Sequence, residues 1–219
     1  YRIALPQELR PEKSVMVYGR VRNHDGQPVA SRVVFERLSD GAMLARTETN
    51  EEGEFKMTLP LGENYAIHAE SGGYLPQSTT VDLKEAPAKQ AAIELTMTQM
   101  KVGAKMPINN IFFRKGSYQL SKESNAELNR LTKILKAYPG LKIEIGGHTD
   151  NTGTEDANME LSKNRARAVM DYLIERGLPR QSIKAVGYGQ SKPIASNNTP
   201  EGKKKNRRVE LTILSIEKK

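Results

Sequence analysis

The chain has 219 residues, 37% of them hydrophobic, with a formal net charge of +8 and no cysteine. This length is enough for one large domain or two small ones that each bury a core. The lack of cysteine excludes disulfides and thiolate metal sites, and the lack of a long apolar run excludes a membrane-spanning helix in this sequence. Because the chain starts at Tyr1 without a methionine or a signal peptide, we expect it to be a piece of a longer or processed protein.

The charge is distributed unevenly along the chain. Residues 1–100 contain 11 Lys and Arg against 14 Asp and Glu, a net charge of −3, whereas residues 101–219 contain 23 against 12, a net charge of +11. This asymmetry indicates two domains and places any polyanionic partner with the second of them. We set the boundary near Met100, so the predicted domains are 1–100 and 101–219.

The first half consists of short alternating segments separated by turn residues. SVMVYGRVRN (14–23) ends at the turn HDGQP, and six further strand candidates follow, the last of them QAAIELTMTQM (90–100). Turn signals about every eight to twelve residues are typical of an antiparallel β-sandwich. We interpret LKEAPAKQ (83–90) as a loop before the last strand. The stretches VYGRVRNHDGQPVASRVVF and TETNEEGEFKMTLPLGENYAIHAESGGYLP resemble the carboxypeptidase regulatory-like domain, a transthyretin-like sandwich, which implies a spacer or a contact surface.

The second half alternates between strand and helix patterns. Two segments have the periodicity of amphipathic helices, 121–138, with Ser121 as its cap, and 158–176. Four segments are predicted to be strands: NNIFF (109–113), LKIEIGG (141–147), IKAVGYG (183–189) and RRVELTIL (207–214). The order βαβαββ predicts an α/β sandwich in which two helices cover one face of a sheet, so the predicted fold is an all-β sandwich followed by an α/β sandwich.

One arginine on the second predicted helix has an unexpected position. Arg165 lies four residues after Leu161 and four before Val169, in the middle of an apolar stripe, whereas Arg167 projects towards water. A guanidinium against a core is unfavourable unless an anion meets it. This anion is either a ligand or a carboxylate of the chain itself, and Asp150 is then the first candidate for a structural ion pair.

Four stretches of the second half carry a family resemblance that covers residues 108–214. They are NNIFFRKGSYQLSKES, GHTDNTG, NMELSKNRARAVMDYL and GYGQSKPIASNNTPEGKKKNRRVEL. Together they resemble the OmpA C-terminal domain family, the peptidoglycan-binding module that also occurs in Pal lipoproteins and flagellar stator anchors. In combination with the sandwich, they also resemble envelope lipoproteins of Bacteroidetes, including one associated with type IX secretion.

The resemblance implies that the anion is the free carboxylate of meso-diaminopimelate in the peptidoglycan stem peptide. Arg165 occupies the carboxylate-binding position and Asp150 the position that binds the ammonium of the same residue, chemistry that suits a zwitterion. The other residues that match pocket positions of the family are Thr149, Asn158, Leu161 and Arg207. Asn158 is expected to cap the helix as well, and Arg207 to point away from Arg208 if the strand has begun. No metal or cofactor is implied.

One position departs from the family pattern. Where the family commonly has an acid after the paired phenylalanines, this chain has Arg114. The additional cation would either strengthen contact with stem carboxylates or repel the diaminopimelate ammonium, and Arg114 is left out of the predicted site.

Two other function classes compete with this interpretation. The run KKKNRR (203–208) is typical of a solvated loop and the start of a strand, but it is also compatible with a basic nucleic-acid-binding module. The absence of Trp and of clustered aromatic residues argues against such a module. An enzyme is less favoured, because His148, Asp150 and Ser162 form no nucleophile–base–orienter series.

The sequence therefore predicts a protein without enzymatic activity that binds peptidoglycan and anchors an envelope or secretion complex to the wall. We expect it in the periplasm, tethered to the outer membrane of a Gram-negative bacterium. The β-sandwich is expected to contact outer-membrane or secretion-system proteins, and nucleic acid is not an expected partner.

Overall fold

A computed structural model describes residues 13–84, 90–114 and 116–217. Over these ranges the chain forms a β-sandwich followed by an α/β domain, which confirms the predicted fold class. Most of the predicted loop 83–90 lies outside the described residues. No helix within these ranges is both long and apolar enough to cross a lipid bilayer.

The strands of the sandwich coincide closely with the segments predicted from the spacing of turns. They are β1 (Ser14–Asn23), β2 (Arg32–Arg37), β3 (Met43–Glu48), β4 (Glu54–Pro60), β5 (Asn64–Glu70), β6 (Gln77–Asp82) and β7 (Gln90–Met97). They form two sheets, with the strand orders β4-β1-β7 and β3-β2-β5-β6. Every pairing is antiparallel except that of β1 with β7, which is parallel.

Strand β1 shows why this sequence forms a half-buried strand. Its side chains alternate between exposed and buried, with Val15, Val17 and Val21 on the core side. Gly19 takes the remaining inward position because a Cβ atom there would lie 2.6 Å from the Phe55 ring.

The α/β domain contains one four-stranded sheet and three helices. Its elements are β8 (Lys105–Pro107), α1 (Asn125–Lys136), β9 (Leu141–Gly147), α2 (Glu155–Glu175), β10 (Ile183–Gly187), α3 (Pro200–Asn206) and β11 (Val209–Ile216). The strand order is β10-β9-β11-β8, with β9 and β10 parallel and the other two pairings antiparallel.

The first strand of this domain lies earlier in the chain than predicted. Residues 109–113 are not a strand, since Asn110 has a positive φ of 58°, which continuous β structure does not accommodate. Phe112, expected to be buried, is 43% exposed. An isolated bridge joins Phe113 to Leu120, and we call the described residues around it, 112–114 and 116–121, the 112–121 turn.

Helix starts differ from the predictions for local reasons. A 3-10 turn over Lys122–Ser124 precedes α1, and Ser121 makes no side-chain capping bond to that turn. Helix α2 begins before Asn158, because Thr154 Oγ1 accepts a hydrogen bond from the Ala157 amide at 3.3 Å. The prediction that Asn158 caps this helix is therefore wrong. Part of the KKKNRR run is helical rather than a loop, because Thr199 caps α3 and a proline follows it.

The buried face of α2 is rotated from the predicted stripe. Its centre runs through Ser162, Ala166, Val169 and Leu173, whereas Leu161 is only partly buried. Gly147 of the sheet allows this close contact, since a Cβ at this position would lie 2.0 Å from the Ser162 carbonyl oxygen. Arg165 consequently lies beside the buried line and not in the middle of it.

Direct contacts join the two domains. Leu75, from the corner between β5 and β6, packs in the core of the α/β domain. Four ionisable residues, here called the interdomain ion cluster, lie between the domains: the buried His68 on β5 and Glu127 on α1, and the partly buried Glu36 on β2 and Arg130 on α1. Arg130 contacts Glu36 and His68, and it donates to Glu127 Oε2 at 3.0 Å.

Candidate ligand-binding site

The candidate site lies where β9 ends and the loop to α2 begins. Asp150 is only 5% exposed there. Its Oδ1 accepts a hydrogen bond from the Thr152 amide at 2.8 Å, and its Oδ2 accepts one from Arg207 Nη1 at 2.5 Å. Burial acts to raise the pKa of Asp150, but the bonds from Arg207 and Thr152 outweigh it and lower that pKa below 3.8. Asp150 is therefore a buried carboxylate that stays charged and retains lone pairs for a further donor.

Arg165 approaches Asp150 from α2 without forming an ion pair with it. Its Nε donates to the Ser117 carbonyl at 3.0 Å, and its guanidinium carbon lies 5.0 Å from the centre of the Phe113 ring. Over the described residues, Arg165 has no carboxylate oxygen within 4.0 Å. The structural Asp150–Arg165 ion pair, which the sequence left open, is not formed.

The electrostatic surroundings of Arg165 lower its pKa below the usual value for arginine. Burial is the largest factor that lowers its pKa, and the positive charge of Arg207 lowers it further. The charge of Asp150 opposes both effects but does not offset them. Because arginine remains protonated throughout the ordinary pH range, Arg165 stays a partly desolvated cation.

Arg207 reaches the site from the C-terminal end of α3. The predicted strand begins only at Val209, so the alternation expected for Arg207 and Arg208 does not apply to Arg207. Its side chain is 48% exposed and turns back to Asp150. Lys203, one turn earlier, donates to Thr152 Oγ1 at 3.3 Å, which brings another cation to the same rim.

The three remaining predicted residues line the same region. Asn158 Nδ2 donates to the Asp150 carbonyl at 3.3 Å and to Gln190 Oε1 at 2.8 Å, which uses both of its N–H donors. The buried Thr149 Oγ1 has no hydrogen-bond partner among residues 13–84, 90–114 and 116–217. Leu161 is partly buried one helical turn before Arg165.

Several contributors could not be recognised from residue types. Ser117 holds Arg165 through a backbone carbonyl, which every residue type possesses. Gln190 orients Asn158 from a loop 32 positions further along the chain. Phe113 lay within a recognised motif, but its contact with Arg165 depends on the 112–121 turn. Arg114 belongs to the same turn, where its exposed side chain donates to Gln119 Oε1 at 3.1 Å.

Comparison with known families divides the chain at the same place as the fold. Residues 112–207 match the OmpA family, and residues 16–98 match the carboxypeptidase regulatory-like domain. The α/β domain is thus an OmpA-like domain, and a carboxypeptidase regulatory-like domain precedes it.

This chain spans less than two thirds of the length of the first curated relatives that it matches. The peptidoglycan-binding protein ArfA of Mycobacterium tuberculosis is 52% identical over 86 residues, which are 39% of this chain and 26% of ArfA. The probable lipoprotein YiaD of Escherichia coli is 36% identical over 137 residues, 61% of this chain and 62% of YiaD. The peptidoglycan-associated lipoprotein from Burkholderia pseudomallei, which has a crystal structure, is 32% identical in sequence, with a TM-score of 0.44. The alignment covers 47% of this chain and 87% of the Burkholderia chain.

Proposed function

We propose that the α/β domain binds peptidoglycan non-covalently, through the meso-diaminopimelate of the stem peptide, and thereby anchors an envelope complex to the cell wall. The observation that carries the proposal is Arg165, a partly desolvated guanidinium that has no carboxylate partner among the described residues and lies near a buried, charged Asp150. A cation and an anion held on separate elements match the two charges of an amino-acid head group.

The contacts of Arg165 and Asp150 support the following arrangement of such a head group. The terminal nitrogens of Arg165 take the carboxylate, with the nearby Arg207 as a second source of positive charge. Asp150 takes the ammonium with the lone pairs that Thr152 and Arg207 leave unused. Because Asn158 uses both N–H donors internally, its Oδ1 is available as a second acceptor for the ammonium. Leu161 offers an apolar surface to the methylene groups, and Thr149 Oγ1 offers a hydroxyl.

The names of the relatives support this proposal at a coarser level. ArfA is called a peptidoglycan-binding protein, and the Burkholderia protein a peptidoglycan-associated lipoprotein. YiaD is called a probable lipoprotein, and this supports a location in the periplasm with a tether to the outer membrane of a Gram-negative cell. We assign the β-sandwich to contacts with outer-membrane or secretion-system proteins, and we assign the protein no catalytic activity and no nucleic-acid partner.

Co-sedimentation with purified insoluble sacculi tests the proposal. We expect the unmodified chain to pellet and Arg165→Ala to stay in the supernatant, because removing one partner of a charge-assisted contact costs about 2–5 kcal/mol. Arg167→Ala is the matched control, since this exposed arginine lies on the same helix and its loss changes the net charge equally. Equal pelleting of both variants would overturn the site.

A DNA-retention assay at about 150 mM salt separates the proposal from the alternative basic module. We expect the chain to be released from DNA at this salt concentration and to remain bound to sacculi. Retention on DNA together with loss from sacculi would instead favour a nucleic-acid-binding function.

A further inference from the structure

The sheet of the α/β domain has a second face, opposite α1 and α2. Along each strand, alternate side chains point to opposite faces. Ile143, Ile145 and Leu211 are buried in the core beneath the helices. The intervening positions place a second set of residues on the opposite face, and we call this region the sheet recess. It is a cavity of about 390 Å³ lined by Lys105, Glu144, His148, Tyr188, Lys192, Pro193, Ile194, Arg208, Glu210 and Thr212.

Two charged side chains of the sheet recess, Glu144 and Arg208, are largely buried, whereas Lys105 and Lys192 are exposed. Glu144 has 10% of its side chain exposed, and it pairs with Lys184 Nζ at 2.9 Å and accepts from Tyr188 Oη at 2.5 Å. Arg208 has 9% of its side chain exposed and pairs with Glu210 at 3.2 Å. Because charged side chains are rarely buried unless they are paired, these two ion pairs give the recess a polar, partly buried lining.

Two lysines of the sheet recess have no anionic partner among the described residues. Within the described part of the chain, neither Lys105 nor Lys192 has a carboxylate oxygen within 4.0 Å. Lys192 Nζ instead lies 3.6 Å from the centre of the Tyr188 ring. The lining therefore carries three cations, Lys105, Lys192 and Arg208, against two carboxylates, and the nearby Lys184 adds a further positive charge.

His148 is the second independent observation. It is 2% exposed and stacks on Tyr188 with ring centres 5.1 Å apart. Neither of its ring nitrogens has a hydrogen-bond partner among the residues that the structure describes. Burial, together with the charges of Arg208, Lys192 and Lys105, lowers the pKa of His148 to about 4, while Glu144 opposes this. The ring is therefore neutral at pH 7 and has one N–H to donate.

We propose that the sheet recess binds a small oxyanion, either a carboxylate or a phosphate. A lining with excess positive charge, two lysines that have no anionic partner in the described part of the chain, and a buried N–H donor are the groups that such an anion requires. This recess is distinct from the candidate site described above, although residues close together in the sequence contribute to the two sites. His148 and Arg208 contribute to the recess, whereas Asp150 and Arg207 contribute to the other site.

The test is a nuclear magnetic resonance titration of the ¹⁵N-labelled full chain at constant ionic strength. Inorganic phosphate and sodium acetate are the two probes, and sodium chloride is the control. We expect saturable shifts of the His148 ring signals with at least one probe, and an upward shift of the pKa of His148 as an anion balances the three cations. A response to phosphate alone assigns a phosphate ligand, and a response to both assigns a carboxylate-compatible site.

Matched variants locate the effect. Lys105→Gln should weaken anion binding at least about tenfold, because a charge-assisted bond is lost. Lys142→Gln should leave binding unchanged, because Lys142 lies on the same face of the sheet but is paired with Glu217. Arg165→Ala should also leave it unchanged, so that failure here is distinguishable from failure of the peptidoglycan site. Absence of saturable His148 shifts with both probes, or equal effects of Lys105→Gln and Lys142→Gln, would overturn the proposal.

Discussion

Two partly buried arginines of the α/β domain, Arg130 and Arg165, differ in whether the described part of the chain supplies a carboxylate partner. Arg130, in the interdomain ion cluster, contacts the carboxylates of Glu36 and Glu127. Arg165, in the candidate site, donates to a carbonyl and lies against an aromatic ring, and no carboxylate oxygen of the described residues is within 4.0 Å of it. The first arginine is satisfied by its own chain and stabilises an interface, whereas the second can still gain an anion. Burial of a charge therefore does not by itself indicate a binding site, and the deciding feature is whether the chain supplies the counter-charge.

The largest effect that this comparison predicts concerns Arg130. Arg130→Ala should lower the free energy of unfolding by about 3–5 kcal/mol, because it leaves Glu36 and Glu127 buried without their cation. Urea denaturation measures this change, with the exposed Lys133→Ala on the same helix as control, expected within about 0.5 kcal/mol of the unmodified chain. Binding to sacculi should persist while the variant is folded. A loss below 1 kcal/mol would mean that the two carboxylates tolerate the loss of Arg130.

Removing the negative charge of the candidate site should weaken ligand binding and leave stability almost unchanged. Asp150→Asn should weaken binding to a soluble diaminopimelate tripeptide by about 2–5 kcal/mol, since the ligand ammonium loses its counter-charge. The amide keeps an acceptor for the Thr152 N–H, and Arg207 is exposed enough to be solvated, so stability should change little. Calorimetry measures the affinity, with Asp156→Asn, exposed in the first turn of α2, as the matched control. Unchanged affinity would remove Asp150 from the site.

The chemistry of the stem peptide sharpens the role of Arg165. A lysine-type tripeptide offers the side-chain ammonium without the adjacent carboxylate, so Arg165 would remain without an anion. We expect roughly tenfold to a hundredfold weaker binding, which corresponds to about 1–3 kcal/mol. Amidation of the diaminopimelate carboxylate should have a similar effect. Equal calorimetric affinities for the three peptides would mean that Arg165 does not recognise this carboxylate.

Acidification should distinguish the two regions through their titratable groups. Burial lowers the pKa of His68 in the interdomain ion cluster below 6.5, and the pKa of His148 is lowered to about 4. Below pH 6.5 the unfolded chain therefore binds protons that the folded chain does not. The free energy of unfolding should fall as the pH drops from 7 to 5, by at most about 1.4 kcal/mol per pH unit for each histidine.

The candidate site has no such group between pH 5 and pH 7, because Asp150 and Arg165 are both charged throughout this range. Affinity for the diaminopimelate tripeptide should therefore stay constant while stability declines, as urea denaturation and calorimetry at pH 7, 6 and 5 would measure. His68→Gln should reduce the pH dependence of stability. Stability that is independent of pH over this range would contradict the assignment of neutral, buried histidines.

The sequence by itself determined the elements whose signals are local. Alternating residues and turn signals located β1 to β7, and amphipathic periodicity located the cores of α1 and α2. The GHTD motif and the NMELSKNRARAVMDYL stretch were sufficient to connect the chain to its family and to select Asp150 and Arg165. These features depend on short spacings along the chain, which the order of residues displays directly.

Only the tertiary structure decided what each charge contacts. Close contact of α2 with Gly147 set the buried face of that helix, so Arg165 lies beside the core line instead of within it. Arg207 meets Asp150 across 57 positions, and Arg130 meets Glu36 across 94. A sequence pattern ranks residues by type and spacing, but the counter-charge of a buried group comes from whichever distant element the fold brings within a few ångströms of it.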